Sequence, residues 1–224
     1  MILVISQNKE ENTPIAQAGS ALAEKFKKEF QLVATIEVEN ISEFCEEIEA
    51  SFLLIQLPDF KINTVQKYLN TCRDLRIPYI FWKNNFSALG AKKILVPVTF
   101  LEEEIEKAQF AVAFGRFFET QITVLQANDY GSKAKTTVEK MITFFDKFSL
   151  NYQIQRAKKD SFKLEKESVE IAKSEKFDLL LISTSRTYGL DDIIFGPHER
   201  KTIINSDIPV ILVNPRADLY ALCD

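Results

Sequence analysis

Several short runs of this chain are apolar at almost every position: ILVIS (2–6), FLLIQL (52–57), YIFW (79–82), ILVPV (94–98), LLLIS (179–183) and VILVN (210–214). A strand that alternates apolar and polar residues covers a core with one face, whereas a strand apolar throughout is covered on both. LVATIEV (32–38), ITVLQA (122–127) and YQIQR (152–156) extend the series. The segments between them carry helical spacing. Leu101, Ile105, Ala108, Val112 and Gly115 form one stripe in 100–119, Ala18, Leu22 and Phe26 another in 13–30, and Val138, Met141, Ile142 and Phe145 a third in 134–148. Helix starts are also written in the chain. Thr13-Pro14 offers a cap followed by proline, and Asn40 with Glu43 and Thr99 with Glu102 have capping-box spacing. Strands alternating with helices in this way predict an α/β fold, a mostly parallel doubly wound sheet with right-handed crossovers and helices on both faces.

The chain also repeats itself. FLLIQL, a helix and RIPYIFWKN match LLLIS, a helix and DIPVILVNP, and MILVISQNKEENTPIAQAG parallels KKILVPVTFLEEEIEKAQFAVAFG. Two tandem doubly wound units are therefore expected. The first is a shortened half over 1–85, lacking roughly one strand-helix step. A linker over 86–92, a full domain over 93–215 and a tail over 216–224 complete the chain.

Composition narrows the function classes. A formal net charge of −4 gives no basic surface for nucleic acid. No apolar run is long enough to cross a bilayer, and MILVISQNKEEN lacks the charged-then-apolar order of a signal peptide, so a cytoplasmic protein without a membrane partner is expected. The cysteines Cys45, Cys72 and Cys223 form no CxxC pair, and His198 is the single histidine. A Cys/His zinc site and a histidine-based catalytic triad are therefore not expected, and the cysteines read as reduced and structural, with Cys45 and Cys72 on helices.

From residue 91 onward the order of motifs resembles a universal stress protein domain. KKILVPVTF opens it, KAQFAVAFG supplies a small-residue helix, and ITVLQAND, KFDLLLISTSR and FGPHERKTIINSDIPVILVN follow in sequence. The first half resembles a truncated, degenerate copy, so the whole is similar to a tandem universal stress protein. Some members of that family bind ATP. The resemblance implies that binders use G-x2-G-x9-G-(S/T) after the fourth strand of the domain and an aspartate at the end of the first. Those positions fall here on Ser183, Arg186, Gly196 and Pro197, and the aspartate position is Thr99.

The departures have a physical meaning. Phosphates bind such loops through bare backbone N–H groups, and glycine lets them approach. Arg186 carries a long side chain where glycine is expected, and Pro197 has neither N–H nor hydroxyl. The degenerate motif predicts no ATP and no other cofactor; ATP is the alternative. Any ligand cleft is expected at the carboxyl ends of strands 94–98 and 179–183, among Pro97, Thr99, Ala127, Ser183, Ser185, Arg186, Gly196, Pro197 and His198. Arg186 with Ser183 and Ser185 also allows a small anion. Gly196-Pro197 reads equally as a plain helix start, Asp191 and Asp192 as a solvated pair, and the charged stretches EEEIEK and LEKESVE as solvated helix faces.

The leading expectation is a non-enzymatic stress-response protein acting through protein association. It forms either a homodimer or an intrachain pseudo-dimer of its two halves, with strand 208–213 as the association edge. The alternative is a nucleotide- or anion-binding sensor, or a weak ATPase, using the same cleft. A receiver-type signalling domain is a third reading, with Asp59 the nearest phosphoacceptor candidate, but the first strand is not followed by the acidic pair such a domain needs.

Overall fold

The computed structural model describes residues 1–35, 40–184, 198–216, 218–219 and 222. Nine strands form one sheet: β1 (Ile2–Ser6), β2 (Phe30–Ala34), β3 (Phe52–Gln56), β4 (Tyr79–Trp82), β5 (Lys93–Val98), β6 (Gln121–Gln126), β7 (Tyr152–Arg156), β8 (Leu179–Ser183) and β9 (Val210–Val213). Their spatial order is β2-β1-β3-β4-β9-β8-β5-β6-β7. Each pairing is parallel except β4 with β9, where Tyr79 lies opposite Leu212 and Ile80 opposite Ile211. The strand expected as an association edge therefore lies inside the sheet, between β8 and β4 of its own chain. Four strands lie on the β2 side of that antiparallel joint and five on the β7 side.

Helices cover both faces, as continuous apolar strands demand. Along β1, Ile2 and Val4 face one core while Leu3 and Ile5 face the other. The first core receives α1 (Pro14–Phe26), α4 (Ala108–Phe118) and most of the buried face of α5 (Lys133–Lys147). The second receives α2 (Ile41–Glu47), α3 (Ile62–Thr71), α6 (Leu164–Ser174) and α7 (His198–Asn205). Phe26 of α1 stands edge-on to Phe114 of α4 at 5.4 Å, and Phe52 of β3 meets the same ring at 6.2 Å. Such aromatic pairs add roughly 0.5–1.5 kcal/mol beyond area burial, and here they cement the two sides of the joint. The segment over 86–92 is packed as well, with Phe86 and Ala91 buried and Phe86 edge-on to Trp82.

Local signals fix the helix starts. Thr13 accepts from Ala16 N, with Pro14 next, and Asn40 accepts from the N–H groups of Ser42 and Glu43. The ends are less visible. Lys27, Glu49, Glu119, Ser149 and Lys176 take the left-handed conformation after α1, α2, α4, α5 and α6, a place usually given to glycine. The helix predicted over 13–30 consequently stops at Phe26, where Lys27 N donates back to Ala23 and Glu24. The stretch 100–119 is not one helix either. A 3-10 turn over Glu102–Lys107 precedes α4, and its cap position is Leu101, not Thr99.

Candidate functional site

In the five-strand part the chain runs outward from β5 to β6 and β7, then returns to the other side of β5 with β8 and β9. The carboxyl ends of β5 and β8 diverge at this switch point, the place where such sheets bind ligands. A cavity of about 550 Å³ lies there. Thr99 and Phe100, just after β5, form one wall, Ser183 and Thr184 of β8 another, and Glu165 of α6 with Glu199 and Thr202 of α7 close the inner side.

Of the residues expected from sequence, Thr99 and Ser183 line this cavity. Pro97 is buried behind it and uses its carbonyl to accept from Lys107 Nζ. Ala127 is buried, its N–H bonded to Val98 O at 3.0 Å, and it is not among the described lining residues. Ser185, Arg186, Gly196 and Pro197 lie outside the described residues, as do Asp191 and Asp192. His198 opens α7, and its side chain also lies outside them. Asp59, far from this cavity, accepts from Lys61 N at 2.9 Å beside the start of α3, which accounts for it structurally.

The groups that set the chemistry are ones the sequence reading assigned to solvent. Glu104 and Lys107 belong to EEEIEK, yet Glu104 is 5% and Lys107 1% exposed, and they form a buried ion pair. Thr99 Oγ1 donates to Glu104 Oε1 at 2.9 Å. In LEKESVE, Glu167 is buried and accepts from the backbone N–H groups of Lys158 and Lys159 at 2.8 and 2.7 Å, fixing the loop after β7. Glu165 lines the cavity, and Thr202 Oγ1 donates to its Oε2 at 2.9 Å. Burial, and next the charge of Glu199, push the Glu165 carboxyl up to about 8, so it carries a proton at neutral pH. Ser161 anchors the outer wall: its N–H donates to Asp129 Oδ1 at 2.8 Å, and its hydroxyl accepts from Phe100 N at 3.0 Å. Phe100 and Phe162 then meet edge-on at 5.7 Å.

The inner surface thus gathers Glu104, Glu165 and Glu199 against one buried ammonium, Lys107, while Lys166 and Lys201 line the cavity from exposed positions. The wall a ligand meets here is thus carboxyl-rich, with Glu104 balanced by Lys107 and Glu165 protonated at neutral pH. Among the described residues no group of three His, Cys, Asp or Glu is arranged to hold a metal ion, and no helix is long and apolar enough to cross a membrane.

Sheet order and switch-point cavity define an α/β fold of the nucleotide-binding type. Its particular form is the universal stress protein fold. A universal stress protein from Archaeoglobus fulgidus superposes with a TM-score of 0.62 at 12% identity, over 96% of this chain and 85% of that one. A candidate universal stress protein from Pseudomonas aeruginosa UCBPP-PA14 and a functionally unknown protein from Pseudomonas aeruginosa PAO1 each superpose with a TM-score of 0.55 at 12% identity, over 95% of this chain and 81% of theirs. No family model and no curated protein matches the sequence.

Proposed function

We propose that the protein is a non-enzymatic stress-response protein of the universal stress type, acting through association with other proteins and carrying no ATP. One observation carries the reading: the switch-point cavity is walled by Glu104, Glu165 and Glu199, with Thr99 turned inward to Glu104. This also weighs against the anion sensor and the weak ATPase. The likeness to the Archaeoglobus fulgidus protein spans 96% of this chain and so includes both sides of the antiparallel joint, which supports two half-units, the first shortened. They meet as an intrachain pseudo-dimer through β4 and β9, which occupies the edge a homodimer would use. Partners then have the terminal strands to pair with, where β7 leaves Ile154 51% exposed.

The test is the nucleotide content of freshly purified protein, read by absorbance and mass of an acid extract. The reading expects none. Adenine nucleotide near one per chain would refute it. Sedimentation at micromolar concentration tests the pseudo-dimer, which expects the mass of one chain; a two-chain mass contradicts it.

A further inference from the structure

We propose that the switch-point cavity binds a primary or secondary amine carried on an apolar body, its ammonium against Glu165 and its body against Phe100, Phe162 and Val169. This rests on the reading that the cleft does not serve a triphosphate. At about 550 Å³ the space suits a small organic molecule. Its wall is apolar toward the mouth, where Phe162 stands 73% exposed against Phe100. An aromatic side chain so exposed gains little from folding but offers a face to an apolar or cationic guest.

The inner end supplies the charge. Glu104 is already neutralised by Lys107 and held by Thr99. Glu165 is different. Thr202 satisfies Oε2, while Oε1 receives no hydrogen bond from the described residues. Glu199, 2% exposed, adds negative potential beside it. Once ionised, a carboxylate with an open oxygen at the end of an apolar slot is matched by an ammonium group and mismatched by another carboxylate or a phosphate. Among the described residues, the positive groups at the cavity are Lys107, committed to Glu104, and Lys166 and Lys201, which are exposed.

Binding then has a proton signature. In the free cleft Glu165 holds its proton, because burial and Glu199 raise its carboxyl to about 8. An arriving ammonium stabilises the carboxylate, so the O–H bond of Glu165 breaks and the proton passes to solvent while the amine keeps its own. Near neutral pH, close to one proton is released per amine bound. Affinity rises with pH until Glu165 is ionised in the free protein.

The experiment is isothermal titration with phenethylamine, 2-phenylethanol and 3-phenylpropionate, in phosphate and in MOPS, from mildly acidic to mildly alkaline pH. Phenethylamine is expected to bind at least tenfold more tightly than the alcohol, and the carboxylate not at all. The heat for the amine should differ between buffers by the ionisation of close to one proton. Glu165→Gln should lose the proton release and the pH dependence, and bind at least tenfold more weakly. Phe162→Ala, at an exposed position that leaves the core intact, should weaken the amine severalfold with proton release unchanged. Equal affinity for amine and alcohol, no amine binding at millimolar concentration, or unaltered proton release in Glu165→Gln would each overturn the proposal. ATP titrated into the same sample separates the two readings. Bound ATP overturns the functional reading, whereas absence of both ligands overturns this inference alone.

Discussion

Thr99 Oγ1 donates to Glu104 Oε1 at 2.9 Å, so the hydroxyl just after β5 is committed to a buried carboxylate whose charge Lys107 balances. The residue at the position where the resemblance places an aspartate thus turns toward the interior. Removing one member of a buried pair costs about 3–5 kcal/mol, because the other charge is left unpaired, whereas replacing both with apolar groups of similar size can be neutral. Lys107→Met is therefore expected to lower unfolding stability by about that amount, and Lys107→Met with Glu104→Leu to recover most of it. Urea denaturation of both variants measures this. A double variant no more stable than the single one contradicts the pairing.

Glu165 makes stability depend on pH. Its folded-state carboxyl titrates at about 8 against 4.5 ordinarily. Below 4.5 both states carry the proton; between the two values only the folded state keeps it, so stability falls as pH rises and levels off above about 8. One titrating group contributes at most about 1.4 kcal/mol per pH unit, and less where solvent reaches it through the cavity. Glu165→Gln should flatten this slope and be more stable than the parent above about pH 8, as read from denaturation midpoints across the range. A steeper alkaline loss in the variant would be the opposite result.

Asn214 ties β9 to the first part of the chain. Its Nδ2 donates to Cys72 O and Leu75 O at 2.8 and 2.9 Å, and its Oδ1 accepts from Thr184 at 2.7 Å and Tyr79 at 3.3 Å. Each buried group left without a partner costs about 1–3 kcal/mol. Asn214→Ala should lower stability by more than 2 kcal/mol on that scale. Hydrogen exchange should then quicken most along β4 and β9. Uniform acceleration across the sheet would show that Asn214 does not join its two parts.

Cys45 and Cys72 are buried and free. Burial pushes the Cys45 thiol up to about 12 and the Cys72 thiol well above its ordinary value. Only thiolates react readily with alkylating reagents. Iodoacetamide on the native protein at mildly alkaline pH should leave both unmodified in a peptide map, with labelling after denaturation. Rapid native labelling of either would show that α2 and α3 open easily.

How much of this was legible in the chain depends on what each residue had to satisfy. Strands covered on both faces can tolerate few polar residues, so YIFW and LLLIS have the same limits in sequence and structure. Caps on Thr13 and Asn40 were legible because a side chain answers a specific backbone amide. Helix ends were not, since left-handed Lys27 and Glu119 look like ordinary surface residues. Thr99 and Ser183 line the cavity, but the acids beside them read as solvated in the sequence. A signal was present: 104, 107, 111 and 114 also step by three and four, and that stripe, not the purely apolar one through the 43%-exposed Leu101, is the fully buried one. Charge at two of its positions hid it, because a buried Glu–Lys pair and a solvated one have the same spelling.

The central claim is that the switch-point cleft does not hold a triphosphate. Its most direct test is titration of magnesium-ATP into the purified protein at low salt. The account predicts no saturable binding at millimolar nucleotide. One-to-one binding that Ser183→Trp abolishes would contradict it.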